Sequence, residues 1–188
     1  MTKERLLVAA FVLAIVSTTT LAATAQEKRT VASELDRQLT QAEKQVVPAA
    51  EAMPDDKFNF VPTGPGDFKD VRSFALQVKH IAVANYALGS GILGEKPPIQ
   101  LTGPNGPPNI VSKADTIKFL KDSFEYAHKA IAAVNEGNML EPIKSPFGDH
   151  MTTRLALATS ILDHPWDHYG QMVVYLRMNS IIPPASRK

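Results

Sequence analysis

The 188-residue chain contains no cysteine. That excludes disulfides and a thiol nucleophile, so any chemistry must come from histidine, carboxylates, hydroxyls or a metal. Net charge is also scarce, at a formal +1. Without a basic patch or stripe, nucleic acid is not an expected partner. No strand alternation or hairpin signal matches the strength of the helical patterns, and no internal repeat is evident. The longest apolar run, "LLVAAFVLAIV" at the N-terminus, falls short of the ~20 residues of a membrane span.

That run has a specific context. Lys3 and Arg5 precede it, and "STTTLAATA" follows, ending in Ala23-Thr24-Ala25 before Gln26. A basic start, a short apolar core and an Ala-x-Ala site are the parts of a secretory signal peptide. The expected organisation is a leader over 1–25 and one domain over 26–188, exported to the periplasm or the cell exterior. The competing reading is a retained N-terminal anchor. Loss of Lys3, Glu4 and Arg5 with the leader brings the mature chain close to neutral. No stable membrane insertion is expected after cleavage.

Four segments repeat apolar residues every three or four positions, as one helix face requires. The first runs from about Thr30, a plausible N-cap, to Met53, with Val31, Leu35, Leu39, Ala42, Val46 and Ala49 on one face. The second lies within "DFKDVRSFALQVKHIAVANYALGSGIL", with Val71, Phe74, Ala75, Val78, Ile81, Ala82 and Asn85 aligned. The third opens on "SKAD", which approximates a capping box, and Gly137 is a suitable stop. The fourth runs from about Thr152 to Asn179. Four such stripes bury themselves best against one another as a bundle. The Pro- and Gly-rich stretches "MPDDKFNFVPTGPGDF" and "GEKPPIQLTGPNGPPNIV" are long enough for crossovers or functional covers.

Histidine carries the chemical signal. His164 and His168 stand four apart in "DHPWDHYGQ", which places both on one helix face. Leu157, Ile161, Gln171 and Tyr175 share that face, so the pair points at the core. Buried imidazoles need partners, and a metal, hydroxyls or carboxylates would serve. Such a pair recurs in metal sites but is weak by itself. Two histidines leave a metal short of ligands, and His80 is a candidate third: it shares a small, weakly polar face with Ser73, Gln77 and Ala84 that would let another element approach, although spacing alone favours an exposed or singly hydrogen-bonded histidine. His128 and His150 read as surface residues. Asp163 and Asp167 are candidates to orient the imidazoles or to be solvated. Tyr169 and Trp166 point away from the pair. Pro165 removes a backbone donor to Ile161, so the helix either kinks and continues or restarts at the proline.

In combination, "AMPDDKFNFVPT", "VRSFALQVKHIAVANY" and "TRLALATSILDHPWDHYGQMVVYLRMNSIIPP" resemble the DinB-like superfamily, in particular its exported members of the damage-inducible protein DinB type. The resemblance spans nearly all of the mature chain. It implies an all-α, four-helix bundle with long crossover connections. It also implies a divalent metal held by three histidines, which fall on His80, His164 and His168. In such proteins the metal is typically zinc or nickel, with manganese or iron as alternatives. Some relatives are thiol-dependent transferases or isomerases, and homodimers occur.

Three imidazoles leaving one or two open positions suit a catalytic rather than a closed structural site, whereas magnesium or calcium would want oxygen ligands. The functional expectation is an exported metal-dependent hydrolase or transferase acting on a small molecule. The alternative is a non-catalytic bundle that binds a metal or small ligand. Export weighs against a thiol transferase, since low-molecular-weight thiols are mainly cytoplasmic.

Overall fold

The computed structural model describes residues 29–188. The expected leader lies outside the described residues. Four helices dominate: α1 (Val31–Ala52), α2 (Phe74–Leu93), α3 (Lys113–Ala132) and α4 (Arg154–Met178). A two-stranded antiparallel sheet, β1 (Pro142–Lys144) and β2 (Met151–Thr153), sits before α4, with Ile143 opposite Thr152. Three-residue 3-10 turns occur at Asp55–Lys57 and Pro184–Ser186. The all-α bundle expected from the sequence is the observed architecture, with this small sheet as an addition. Among the described residues no helix is long and apolar enough to cross a membrane.

The helix starts follow from local chemistry. Thr30 and Ser33 each accept the other's backbone N–H, a complete capping box for α1. Ser112 caps α3, but the Asp115 carboxylate accepts from the Ser112 hydroxyl rather than from its N–H. Helix α2 begins at Phe74, later than its apolar pattern suggests. Its early N–H groups are satisfied by the preceding loop, Phe74 donating to the Phe60 carbonyl and Ala75 to that of Phe58. Val71, expected on the buried stripe, therefore lies outside the helix and is exposed.

The end of α3 departs from expectation too. It stops at Ala132 rather than near Gly137. Asn135 accepts from the N–H groups of Gly137 and Asn138, while Asn138 accepts from Asn135 N–H and donates to the Ala133 carbonyl. These side-chain bonds outcompete another helical turn. Val134 is still buried, but in the turn and not on the helix. The hairpin escaped sequence reading because three-residue strands are too short to show alternation.

Helix α1 packs on α3 and α4, and α2 packs on the same two. So α1 and α2 sit across a diagonal, and the connections over 53–73 and 133–153 both cross the bundle. The 94–112 connection joins neighbours and is free to do something else. Helix α2 is buried on nearly all sides, with Gln77, Lys79, Asn85 and Ser90 among its covered residues.

That burial depends on small residues. A Cβ on Gly89 would stand 2.9 Å from the Tyr126 ring of α3, and one on Gly91 2.7 Å from Leu157 of α4. The Tyr126 ring packs against Tyr86 and its hydroxyl donates to Glu95, so it cannot swing aside cheaply. Gly89→Ala should therefore lower stability by about 1 kcal/mol: overpacking costs roughly 1–3 kcal/mol, offset by up to ~1 from better helix propensity. The urea midpoint is the measurement, and an unchanged or raised midpoint contradicts the close approach.

Candidate metal centre

Helices α2 and α4 lie side by side and bring three histidines together. His80 comes from α2, and His164 and His168 from α4. One ligand nitrogen from each lies within 4.8 Å of the others. Ring centroids are 4.5 Å apart for His164 and His168, 4.8 Å for His80 and His168, and 4.9 Å for His80 and His164. Three close histidines of this kind can hold a metal ion.

The continuity of α4 makes this arrangement. The helix runs unbroken from Arg154 to Met178 through Pro165, so His164 keeps phase with His168. Of the two outcomes open for the proline, continuation is the observed one. Pro165 is buried. Helix α1 likewise continues through Pro48.

Two rings have their Nδ1 atoms occupied. His168 Nδ1 lies 2.6 Å from Gln77 Oε1, and Gln77 Nε2 donates in turn to Gln171 Oε1 at 2.8 Å. His80 Nδ1 lies 2.6 Å from the Pro104 carbonyl. Both acceptors require an N–H at Nδ1, which fixes the tautomer and leaves Nε2 with a lone pair. His164 Nε2 stands 3.1 Å from His168 Nε2. Adjacent ligands at ~2.1 Å from one cation are roughly 3.0–3.4 Å apart, so this spacing fits a shared ion. His164 Nδ1 is buried with no partner.

Electrostatics also favour neutral rings. Burial, then the His168 and His80 charges, pushes His164 down to about 4. Burial and the His80 charge bring His168 to about 4. His80 is lowered by burial, against its Pro104 hydrogen bond. Near neutral pH all three therefore present lone pairs without first losing a proton. A consequence concerns the metal-free protein. At His164 and His168 the unfolded chain takes up protons near pH 6.5 and the folded one only near 4, so their contribution to stability is full above 6.5 and falls as pH drops toward 4. The thermal midpoint should fall across that window, and the fall should be shallower in a His164→Ala/His168→Ala variant. Equal slopes in the two proteins would contradict neutral burial.

The remaining sequence candidates fall elsewhere. Asp163 and Asp167 are exposed and neither bonds to an imidazole. Asp167 acts only through its charge, which favours protonation of the three rings. Tyr169 points its hydroxyl at Gln45, and Trp166 is exposed with its ring edge-on to Tyr169. His150 is exposed in the turn before β2, as expected. His128 corrects an expectation: it is half-buried between α3 and α1, with Nδ1 on Asp36 and Nε2 3.2 Å from Glu43. Its neighbours on α3 are charged, but α1 packs over it with carboxylates in place.

Three features of the site were not assigned from sequence. Gln77 orients His168, and its position one turn before His80 was the available signal. The 94–112 connection supplies Pro104 and is tied down by Lys79, whose buried ammonium donates to the Pro107 and Ile110 carbonyls at 2.8 and 3.0 Å. Burial lowers the pKa of Lys79. Finally, a cavity of about 510 Å³ adjoins the histidines, with His80 and His164 at one end.

Comparison with known proteins agrees with this picture. No curated protein sequence matches the chain. The fold resembles that of a DinB-like protein from Bacillus cereus ATCC 10987, known from a crystal structure. The two share 14% identity with a TM-score of 0.61, over 80% of this chain and 93% of that one. The family model of the DinB superfamily matches residues 38–172, which include all three histidines, and the chain belongs to that superfamily.

Proposed function

We propose that His80, His164 and His168 bind one divalent metal ion, and that the metal serves a hydrolase or transferase reaction on a small molecule in the adjoining cavity. The observation that carries this is the shared Nε2 presentation. Two separate acceptors, an amide and a backbone carbonyl, hold His168 and His80 with the ligand nitrogens inward. A histidine that only fills the core also needs a hydrogen-bond partner, but it has no need to turn its second nitrogen toward two other imidazoles, as these rings do. Zinc and nickel suit three imidazoles best, with manganese or iron as alternatives.

A bound metal would polarise a carbonyl or make a water more acidic. Around it the chain's residues bind and orient. The apolar part of the walls would hold an apolar part of a substrate, and His150 is the lining imidazole outside the three proposed ligands and so the one placed to move a proton. The expected leader places this activity outside the cytoplasm, which weighs against a low-molecular-weight thiol as cosubstrate. A second reading, a non-catalytic bundle that binds metal or ligand, is favoured by one feature: no carboxylate lines the cavity to act as a base.

Elemental analysis of protein from its native compartment tests the proposal. About one equivalent of a transition metal is expected in the native chain and little in His80→Ala. A native chain without metal, or a variant with undiminished content, would overturn it.

A further inference from the structure

The cavity beside the histidines is a groove, and its two long walls are antiparallel helices. On α2 the lining steps from His80 through Ala84 to Leu88. On α4 it steps back from His164 through Ser160 to Ala156 and Leu157. Eight residues of helix rise ~12 Å, so the groove runs about that far from the histidines. Pro104 and the β1–β2 hairpin region, with the exposed Phe147 and His150, flank its outer side. Its volume of about 510 Å³ is typical of a small-molecule site.

Its chemistry is one-sided. No Lys, Arg, Asp or Glu lines it, and its polar groups are hydroxyls and imidazoles. The next cavity along the bundle, of about 490 Å³, shares Ser145 but is lined by Glu95, Lys96, Lys144 and Arg154. The surface here is not short of charge; the charges are kept out of the histidine groove. A charged group placed in that groove would lose its hydration with no counter-charge to replace it. From these observations, and resting on the metal reading above, we infer that the groove takes a neutral, chain-like small molecule. Its metal-binding head group sits at His80 and His164, and its apolar tail lies between α2 and α4 toward Leu88 and Leu157.

A series of probes reads this directly. The zinc-loaded protein is titrated calorimetrically with acetohydroxamate, butanohydroxamate, hexanohydroxamate and octanohydroxamate, and with an octane chain carrying a carboxylate at its far end. Affinity should rise about fourfold for each methylene the groove covers, and the acid-ended chain should lose that gain. Ala156 is exposed on α4, so Ala156→Glu places a carboxylate in the groove without disturbing the core. It should flatten the series, with zinc content reporting that the bundle is intact. A flat series in the native, zinc-loaded protein overturns this inference alone, as does equal binding of neutral and acid-ended chains. Failure to load zinc, nickel, manganese or iron alike overturns the metal reading and this inference with it.

Discussion

His168→Ala is expected to lower metal affinity by roughly 10²–10³-fold. Structural zinc sites with four ligands are worth ~10–16 kcal/mol, or about 2.5–4 per ligand. The variant should differ from His80→Ala in a second respect. His168 is buried and bonded to Gln77, whereas His80 is half-exposed and bonded to a loop carbonyl. Removing the His168 ring leaves Gln77 Oε1 buried without a donor, a cost of about 1–3 kcal/mol. So both variants should fail to hold metal, but only His168→Ala should also lower the stability of the metal-free protein appreciably. Competition with a chromophoric chelator gives the affinity, and denaturation in the presence of a strong chelator gives the stability. Unaltered affinity in His168→Ala would remove it from the ligand set.

The sequence made the bundle legible because four apolar stripes survive without reference to any partner. Leu35, Leu39, Ala42, Val46 and Ala49 are buried as their spacing requires. Where a tertiary partner overrides local pattern, the reading fails. Val71 has the right phase for the second stripe, but the loop carbonyls of Phe58 and Phe60 start α2 three residues later. His128 has charged neighbours on its own helix, yet α1 covers it and supplies two carboxylates. In the site, the i, i+4 histidine pair was visible as a geometric fact of one helix. His80 lies on a different helix; its small, weakly polar face made it a candidate third ligand, and the family resemblance assigned it. The groove was not legible, because its walls join residues of α2 to residues of α4 more than sixty positions away.

The residue behind His168 sets the last expectation. Gln77→Leu should weaken metal binding by roughly 10–100-fold, the usual effect of losing the group that orients a ligand histidine. It strands His168 Nδ1–H and Gln171 Oε1 together, since Gln77 serves both. Gln77→Glu separates orientation from simple packing. A carboxylate accepts from His168 Nδ1 more strongly than an amide, and Gln171 can turn its amide over so that Nε2 donates to it. At 2% exposure that carboxylate is costly to bury in the metal-free state. A cation at the three histidines supplies the compensating charge. The glutamate variant should therefore be less stable than the native chain when metal-free but gain more on loading, widening the interval between the two thermal midpoints. In the leucine variant the interval should shrink. If glutamate narrows the interval as leucine does, Gln77 acts by packing and not by directing His168 toward a metal.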